Sequence, residues 1–74
     1  MRPARKQKSL FSRRLIRLRQ ERGLTQQELA DEMGTSLSSI SYLEAKATNP
    51  RSTTLTKLAD FFNVPVGYFF GEGD

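Results

Sequence analysis

The chain contains no cysteine, no histidine and no tryptophan among its 74 residues. Disulfides are excluded, and so are most zinc sites, because these require thiolate or imidazole ligands. A domain of this length buries only about 60% of the surface that its unfolded chain exposes, so the core is small. We therefore expect one domain held together by helix packing, helped by a partner subunit if one binds, with no metal and no cofactor.

Long apolar runs are also missing. No segment approaches the ~20 apolar residues that cross a bilayer, and the charged N-terminus has no apolar signal core. The lack of cysteine fits the cytoplasm. Without histidine, cysteine, a glycine-rich phosphate loop or clustered carboxylates, the chain offers no candidate catalytic residue, and we do not expect an enzyme.

Basic residues are concentrated at the start of the chain. Residues 1–22 contain nine Lys or Arg and one acidic residue, whereas residues 23–74 contain three basic and seven acidic residues. This split suggests a face or an arm directed at a polyanion, although a solvated tail and a charged helix face would give the same composition. Residues 1–8 have no hydrophobic period and are predicted to be a flexible basic arm, with the folded domain spanning residues 9–74.

Hydrophobic spacing and capping residues predict four helices and a final short helical turn over residues 66–70. Ser9 is the expected N-cap of the first helix, and Thr25 with Glu28 forms a capping box for the second. Ser36 is expected to cap the third, and either Ser52 or Thr53 the fourth. The expected helix stops are Gly23, Gly34 and Asn63, and the expected inward residues are Phe11, Leu15, Leu18, Leu29, Ala30, Met33, Ile40, Leu43, Leu55, Leu58, Ala59 and Phe62.

A fixed spacing in the middle of the chain carries the functional signal. Ala30 allows two helices to cross closely, Gly34 permits a sharp turn with positive φ, and Ile40 and Leu43 anchor the next helix to the body. Together with Gln26, these positions predict two steeply crossing helices, with one face of the second left exposed.

The same region resembles a known family. The shared pattern is Leu15-x-x-Leu18-Arg19, Gly23-Leu24-Thr25-Gln26-x-Glu28-Leu29-Ala30, Gly34-x-Ser36, Ile40-Ser41, Glu44, Pro50 and Leu55-x-x-Leu58-Ala59. From Phe11 to Phe70 the chain resembles the lambda-repressor-like, or Cro-type, helix-turn-helix proteins. The resemblance implies an all-α bundle of about five helices that binds double-stranded DNA, usually as a symmetric homodimer on a near-palindromic operator. It also implies a sequence-specific transcriptional regulator, with repression favoured over activation.

The resemblance places the third helix, about residues 36–46, in the major groove. Its exposed side would carry Leu37, Ser38, Ser41 and Tyr42. Relatives often have glutamine or arginine there, so readout in this chain would depend on apolar and hydroxyl contacts and on DNA shape. Leu37 and Tyr42 could instead pack as additional core. Gln26 would hold a phosphate at the start of the second helix, or else remain a solvated residue.

Further contacts are expected at both ends of the third helix. Thr35 and Ser36 would contact DNA before it, and Lys46, Asn49 and Arg51 after it. For Lys46 and Arg51, ordinary surface charge is the alternative. Lys46 stands where relatives often have a glycine that ends the helix, so a slightly longer third helix is expected.

Two further sets of residues have other expected roles. In relatives, an arginine equivalent to Arg19 commonly pairs with a glutamate equivalent to Glu44, and Arg19 would also face the phosphates. The alternative is two unrelated surface charges. The apolar cluster at the end of the chain is expected to form part of a dimer interface, although Tyr68 and Phe69 could simply cover the core. That cluster comprises Val66, Tyr68, Phe69 and Phe70.

Two alternatives remain open. Some family members act as protein-interaction modules, such as antitoxins or bridging coactivators, rather than as independent DNA binders. The basic arm could wrap the duplex or enter a groove, or it could be a disordered tail that raises only non-specific affinity.

Overall fold

The structure is a computed structural model that describes residues 8–71. This part of the chain is all-α, as predicted, and contains four α-helices followed by one 3₁₀ helix, with no strand among the described residues. No helix in this range is long and apolar enough to cross a membrane. The predicted basic arm lies outside the described residues except for Lys8. The helices are α1 (Leu10–Glu21), α2 (Gln26–Met33), α3 (Leu37–Ala45), α4 (Ser52–Phe62) and the 3₁₀ helix Val66–Phe70.

Most helix ends follow the predicted capping chemistry. The Ser9 side chain accepts a hydrogen bond from the Ser12 backbone N–H, and the capping box at Thr25 and Glu28 is present. Asn63 ends α4 in the left-handed conformation, with φ of 58°. These local signals therefore fix where the helices begin and end.

The predicted cap of α4 is wrong. Its N-cap is Arg51, which makes no side-chain capping hydrogen bond, and the helix itself begins at Ser52. Arg51 follows Pro50 and is extended, with φ of −63° and ψ of 149°. Ser52 and Thr53 therefore lie inside the first turn, where their hydroxyls cannot act as the cap.

The core forms where one stripe from each helix meets the others. All the residues predicted to face inward are buried, except that Met33 and Leu43 are only partly buried. Ala47, in the connection after α3, is also buried, at 3% exposed. The periodic patterns therefore located nearly the whole core.

Phe69 is a core residue, which corrects its assignment to a dimer interface. It is 0% exposed, and its ring centroid lies 5.3 Å from that of Phe11. Tyr68 is half-buried and packs beside it, with ring centroids 5.9 Å apart. The 3₁₀ helix thus closes the bundle over α1, and Val66 and Phe70 are the members of the apolar cluster that remain exposed.

Two arginines, one in α1 and one at its C-cap, bind backbone carbonyls of the 3₁₀ helix and of α4. Arg14 is 7% exposed and donates from Nη1 to the Tyr68 carbonyl at 3.1 Å, while its guanidinium lies 4.7 Å from the centroid of the Tyr68 ring. Arg22 donates from Nη2 to the Phe62 carbonyl at 2.8 Å. Part of the basic excess at the start of the chain therefore serves packing rather than an exposed polyanion-binding face.

The end of α3 does not need the glycine that relatives often have. The helix stops at Ala45, and Lys46 leaves the helical region with φ of −132°. The expected span of about 36–46 thus corresponds to the helix plus its two caps, and the expected lengthening of α3 is wrong.

Two serines of the first helical turn bind the carbonyls at this end. The Ser12 hydroxyl donates to the Leu43 carbonyl at 2.6 Å and lies 3.2 Å from the Ala47 carbonyl. The Ser9 hydroxyl donates to the same Ala47 carbonyl at 2.6 Å. Because Ser9 and Ser12 bind one carbonyl in the last turn of α3 and one just after it, the helix can end with ordinary residues.

Replacing Ser12 by alanine should lower the free energy of unfolding by about 1–3 kcal/mol, because the Leu43 carbonyl loses the hydrogen bond from this fully buried side chain. Urea denaturation measures the loss. Ser39→Ala is the matched control, since its exposed hydroxyl contacts only Ser36, and it should change stability by less than ~0.5 kcal/mol. Equal losses in the two variants would contradict the assigned role of Ser12.

Candidate nucleic-acid interface

A short turn sets the angle between α2 and α3. Gly34 takes the left-handed conformation, with φ of 67° and ψ of 35°, and Ser36 accepts from the Ser39 N–H to cap α3. The Thr35 N–H donates to the Ala30 carbonyl at 2.9 Å, and Ala30 itself is 0% exposed. The two helices therefore pack closely and form one rigid unit.

The two sides of α3 have different environments. Ile40 is 1% exposed and anchors the inner side, whereas Leu37 and Tyr42 are 43% and 57% exposed. Ser38 is exposed on the same outer side. Leu37 and Tyr42 are therefore not additional core, and α3 presents a mixed apolar and hydroxyl surface to its surroundings.

A buried ion pair connects α1 to α3. Arg19 Nε donates to Glu44 Oε2 at 2.6 Å, and Arg19 Nη2 donates to Glu44 Oε1 at 3.0 Å. The two side chains are 14% and 3% exposed. The hydrogen bond that Arg19 donates to Glu44 raises the pKa of the Arg19 guanidinium, which therefore remains charged. This bidentate geometry fixes orientation as well as distance.

Arg19 also reaches the turn before α2. Its Nη1 donates to the Leu24 carbonyl at 2.7 Å. All three guanidinium nitrogens therefore contact the protein itself. The geometry gives Arg19 a structural position and offers no support for its expected phosphate contact.

Gln26 lies at the start of α2 and joins the same polar cluster. Its Nε2 donates to Glu44 Oε1 at 3.0 Å, and its Oε1 accepts from the Ser41 hydroxyl at 3.3 Å. Gln26 and Ser41 are both half-buried. Gln26 is thus held in place rather than freely solvated, and the chain Arg19–Glu44–Gln26–Ser41, here called the polar relay, links α1, α2 and α3.

A groove of about 790 Å³ runs between α3, the connection after it and α4. It brings five of the predicted DNA-binding residues together, and its lining contains no carboxylate side chain. Gln26, Ser36, Leu37, Ser41 and Lys46 lie outside the lining. The five residues in the groove are Thr35, Ser38, Tyr42, Asn49 and Arg51.

Lys57 also lines this groove and was not singled out from the sequence. It lies on α4 next to the buried Leu58, with Thr54 one turn earlier on the same side. The spacing from Leu55 and Leu58 could have shown that Lys57 borders the buried stripe. It could not have shown that this border faces α3, which depends on the angle between the helices.

A helix-turn-helix family model matches residues 15–69. The chain belongs to the lambda-repressor-like, Cro-type helix-turn-helix family. The match covers α2 and α3 and extends into the 3₁₀ helix. The close crossing at Ala30 and the exposed outer side of α3 are thus elements of a helix-turn-helix unit.

Curated relatives of this helix-turn-helix protein are regulators. It is 32% identical over 64 residues to the HTH-type transcriptional regulator ImmR of Bacillus subtilis, covering 86% of this chain and 50% of the relative. It is 35% identical over 60 residues to the regulator PuuR of Escherichia coli, covering 81% and 32%. The cryptic phage CTXphi transcriptional repressor RstR of Vibrio cholerae is 31% identical over 65 residues, covering 88% and 59%. The chain therefore spans between a third and three fifths of the length of these relatives.

Glu44→Ala should lower the free energy of unfolding by about 3 kcal/mol or more, because it leaves Arg19 partly buried without its partner. Chemical denaturation measures the change. The control is Glu21→Ala, which breaks the exposed pair with Arg17, whose side chains are 63% and 58% exposed; its effect should stay below ~0.5 kcal/mol. A similarly small loss for Glu44→Ala would contradict a buried pair.

Proposed function

We propose that this protein binds double-stranded DNA sequence-specifically through α3 in the major groove and acts as a transcriptional regulator, with repression favoured over activation. The observation that carries the proposal is the exposed outer side of α3, with Leu37, Ser38 and Tyr42, on a helix fixed to the body by a buried ion pair. A major groove admits one helix in this way. Membership of the family and the regulator names of its relatives support the proposal.

Affinity would come mainly from phosphate contacts. Arg51 and Lys57 line the groove beside α3, and the lining of this groove contains no carboxylate side chain. The first turn of α4 has no side-chain cap, so its N–H groups are available to an anion. Gln26 uses one Nε2 hydrogen for Glu44 and retains a second for a phosphate at the start of α2. Thr35, Ser36, Lys46 and Asn49 would add polar contacts to the same backbone.

Base recognition would depend on small and apolar groups. Leu37 can contact a thymine methyl group, Ser38 can donate or accept at several base edges, and Tyr42 can lie over a base edge or bond a phosphate. None of these side chains makes the bidentate contacts of glutamine or arginine. Sequence-dependent groove shape therefore supplies a larger share of specificity in this proposal.

Dimerisation would use the exposed part of the apolar cluster at the end of the fold. Val66 is 40% exposed and Phe70 is 47% exposed, and both lie on the 3₁₀ helix. A two-fold dimer formed there would place two α3 helices about 34 Å apart, one turn of DNA, on a near-palindromic operator.

Duplex binding should depend steeply on salt. Affinity should fall roughly 10³–10⁵-fold between about 50 and 200 mM salt if six to ten phosphates are contacted. Fluorescence anisotropy with a mixed duplex measures the slope. The double variant Arg51→Ala, Lys57→Ala should reduce the slope by about 2. Arg17→Ala is the control and should leave the slope unchanged, since that charge is already paired with Glu21.

A flat salt response of the wild-type protein would contradict DNA binding and favour the protein-interaction alternative. An unchanged slope in the double variant would show that the groove between α3 and α4 does not hold the phosphates.

Val66→Glu and Phe70→Glu should each shift the protein towards monomer, because they place charge on the proposed dimer surface. Sedimentation equilibrium measures the association constant. Tyr42→Ala removes an exposed aromatic side chain from α3 and should leave self-association intact while weakening DNA binding. Wild-type protein that stays monomeric at high concentration and occupies half-sites singly would overturn the dimer.

A further inference from the structure

The polar relay has a definite direction. A carboxylate only accepts hydrogen bonds, so the atom of Gln26 that faces Glu44 must be the Nε2 donor. The carboxamide oxygen therefore faces Ser41, 3.3 Å away. An oxygen acceptor at that distance requires the Ser41 hydroxyl to donate. The charge on Glu44 thus determines, through Gln26, where the proton of Ser41 points.

Ser41 consequently differs from a free serine. An unconstrained hydroxyl rotates to donate or to accept, as its partner requires. Here the single proton is used within the protein, and only lone pairs remain for an outside partner. Ser38 is exposed and lies outside the polar relay, so its hydroxyl keeps both abilities.

The position of Ser41 places these lone pairs beside the recognition surface. Ser41 lies one helical turn after Leu37 and directly before Tyr42 on α3. It is half-buried, so part of the side chain remains accessible between α2 and the outer side of α3.

An acceptor-only group is selective among DNA groups. Phosphate oxygens are themselves acceptors, so they cannot bond Ser41 while the relay is intact. In the major groove, the donors are the amino groups of adenine N6 and cytosine N4, whereas guanine and thymine present acceptors at O6, N7 and O4.

We propose that Ser41 is a specificity-determining residue that selects adenine or cytosine on the strand it faces, and that Gln26 and Glu44 are positioning residues that make it acceptor-only. The proposal rests on the proposed DNA binding and deepens it by naming the base chemistry that is read. Gln26 then has two roles, since its remaining Nε2 hydrogen would bind a phosphate while its oxygen holds the Ser41 proton.

Selection from a random duplex pool with the full chain tests this proposal. At one position of each half-site, the wild type should prefer adenine or cytosine over guanine or thymine by roughly three- to tenfold, the range of one net hydrogen bond. Ser41→Ala should reduce that preference below about twofold. Gln26→Met should do the same, because it frees the Ser41 proton to donate to guanine or thymine.

Two controls separate this effect from a general loss of binding. Ser41→Thr keeps the hydroxyl and should keep the preference. Ser38→Ala removes a hydroxyl from the same helix outside the relay and should leave this position unchanged. Thermal unfolding of every variant establishes that the fold is intact, and Gln26→Met should additionally weaken binding to all sequences equally.

The outcomes distinguish failure of the polar relay, of the role of Ser41 and of DNA binding itself. A preference that survives in Gln26→Met but disappears in Ser41→Ala would overturn the relay while leaving DNA binding intact. A preference that survives in both variants would overturn the role of Ser41. If the wild type enriches no sequence and binds no duplex, the proposed function fails, and this proposal fails with it.

Discussion

The buried ion pair between Arg19 and Glu44 is the interaction on which the functional surface depends. Together with the hydrogen bond from Ser12 to the Leu43 carbonyl, it fixes the orientation of α3 relative to α1, since apolar contacts such as Ile40 have no preferred direction. Glu44 is 3% exposed and accepts from two nitrogens of Arg19 and one of Gln26. Three donors compensate for the cost of desolvating the carboxylate. As a consequence, the loss of either partner leaves an uncompensated buried charge.

A domain with so small a core uses polar groups to close its bundle. Ser12 binds the end of α3, Arg14 binds the 3₁₀ helix and Arg22 binds the end of α4, in each case through a backbone carbonyl. Within residues 8–71, no buried side-chain nitrogen or oxygen lacks a hydrogen-bond partner. Because the helix ends are held in this way, the outer side of α3 need not contribute to packing and is free to carry functional groups.

Local chemistry was readable from the sequence, and tertiary geometry was not. The capping box at Thr25, the turn at Gly34 and the buried stripes all follow from spacing within one helix or turn. Phe69 was misassigned because a five-residue helix is too short for a period to show which aromatic side chain faces the core. The cap of α4 was misplaced because residue preference favours serine or threonine at an N-cap, whereas the N-cap position falls on Arg51, which makes no side-chain capping bond.

In the candidate site, too, features set within one helix were predictable from the sequence and contacts between helices were not. The exposure of Leu37 and Tyr42 follows from their offset relative to Ile40, and the family pattern supplied the partner of Arg19. The bonds of Gln26 to Glu44 and Ser41 join two different helices, so no spacing along the chain encodes them. The position of Lys57 in the groove could not be predicted for the same reason, because its neighbours across the groove belong to α3.

The most direct test of DNA binding through α3 is a nuclear magnetic resonance titration, in which a DNA duplex is added to the labelled protein. It locates the surface that contacts DNA. If DNA binds through the outer side of α3, the largest backbone shifts should occur at the start of α2, from residue 35 to 42, and from residue 49 to 57. Backbone amides near Asp60 and Asn63, at the far end of α4, should change little. Large shifts confined to α1 or the 3₁₀ helix, with α3 unaffected, would show that α3 does not contact DNA.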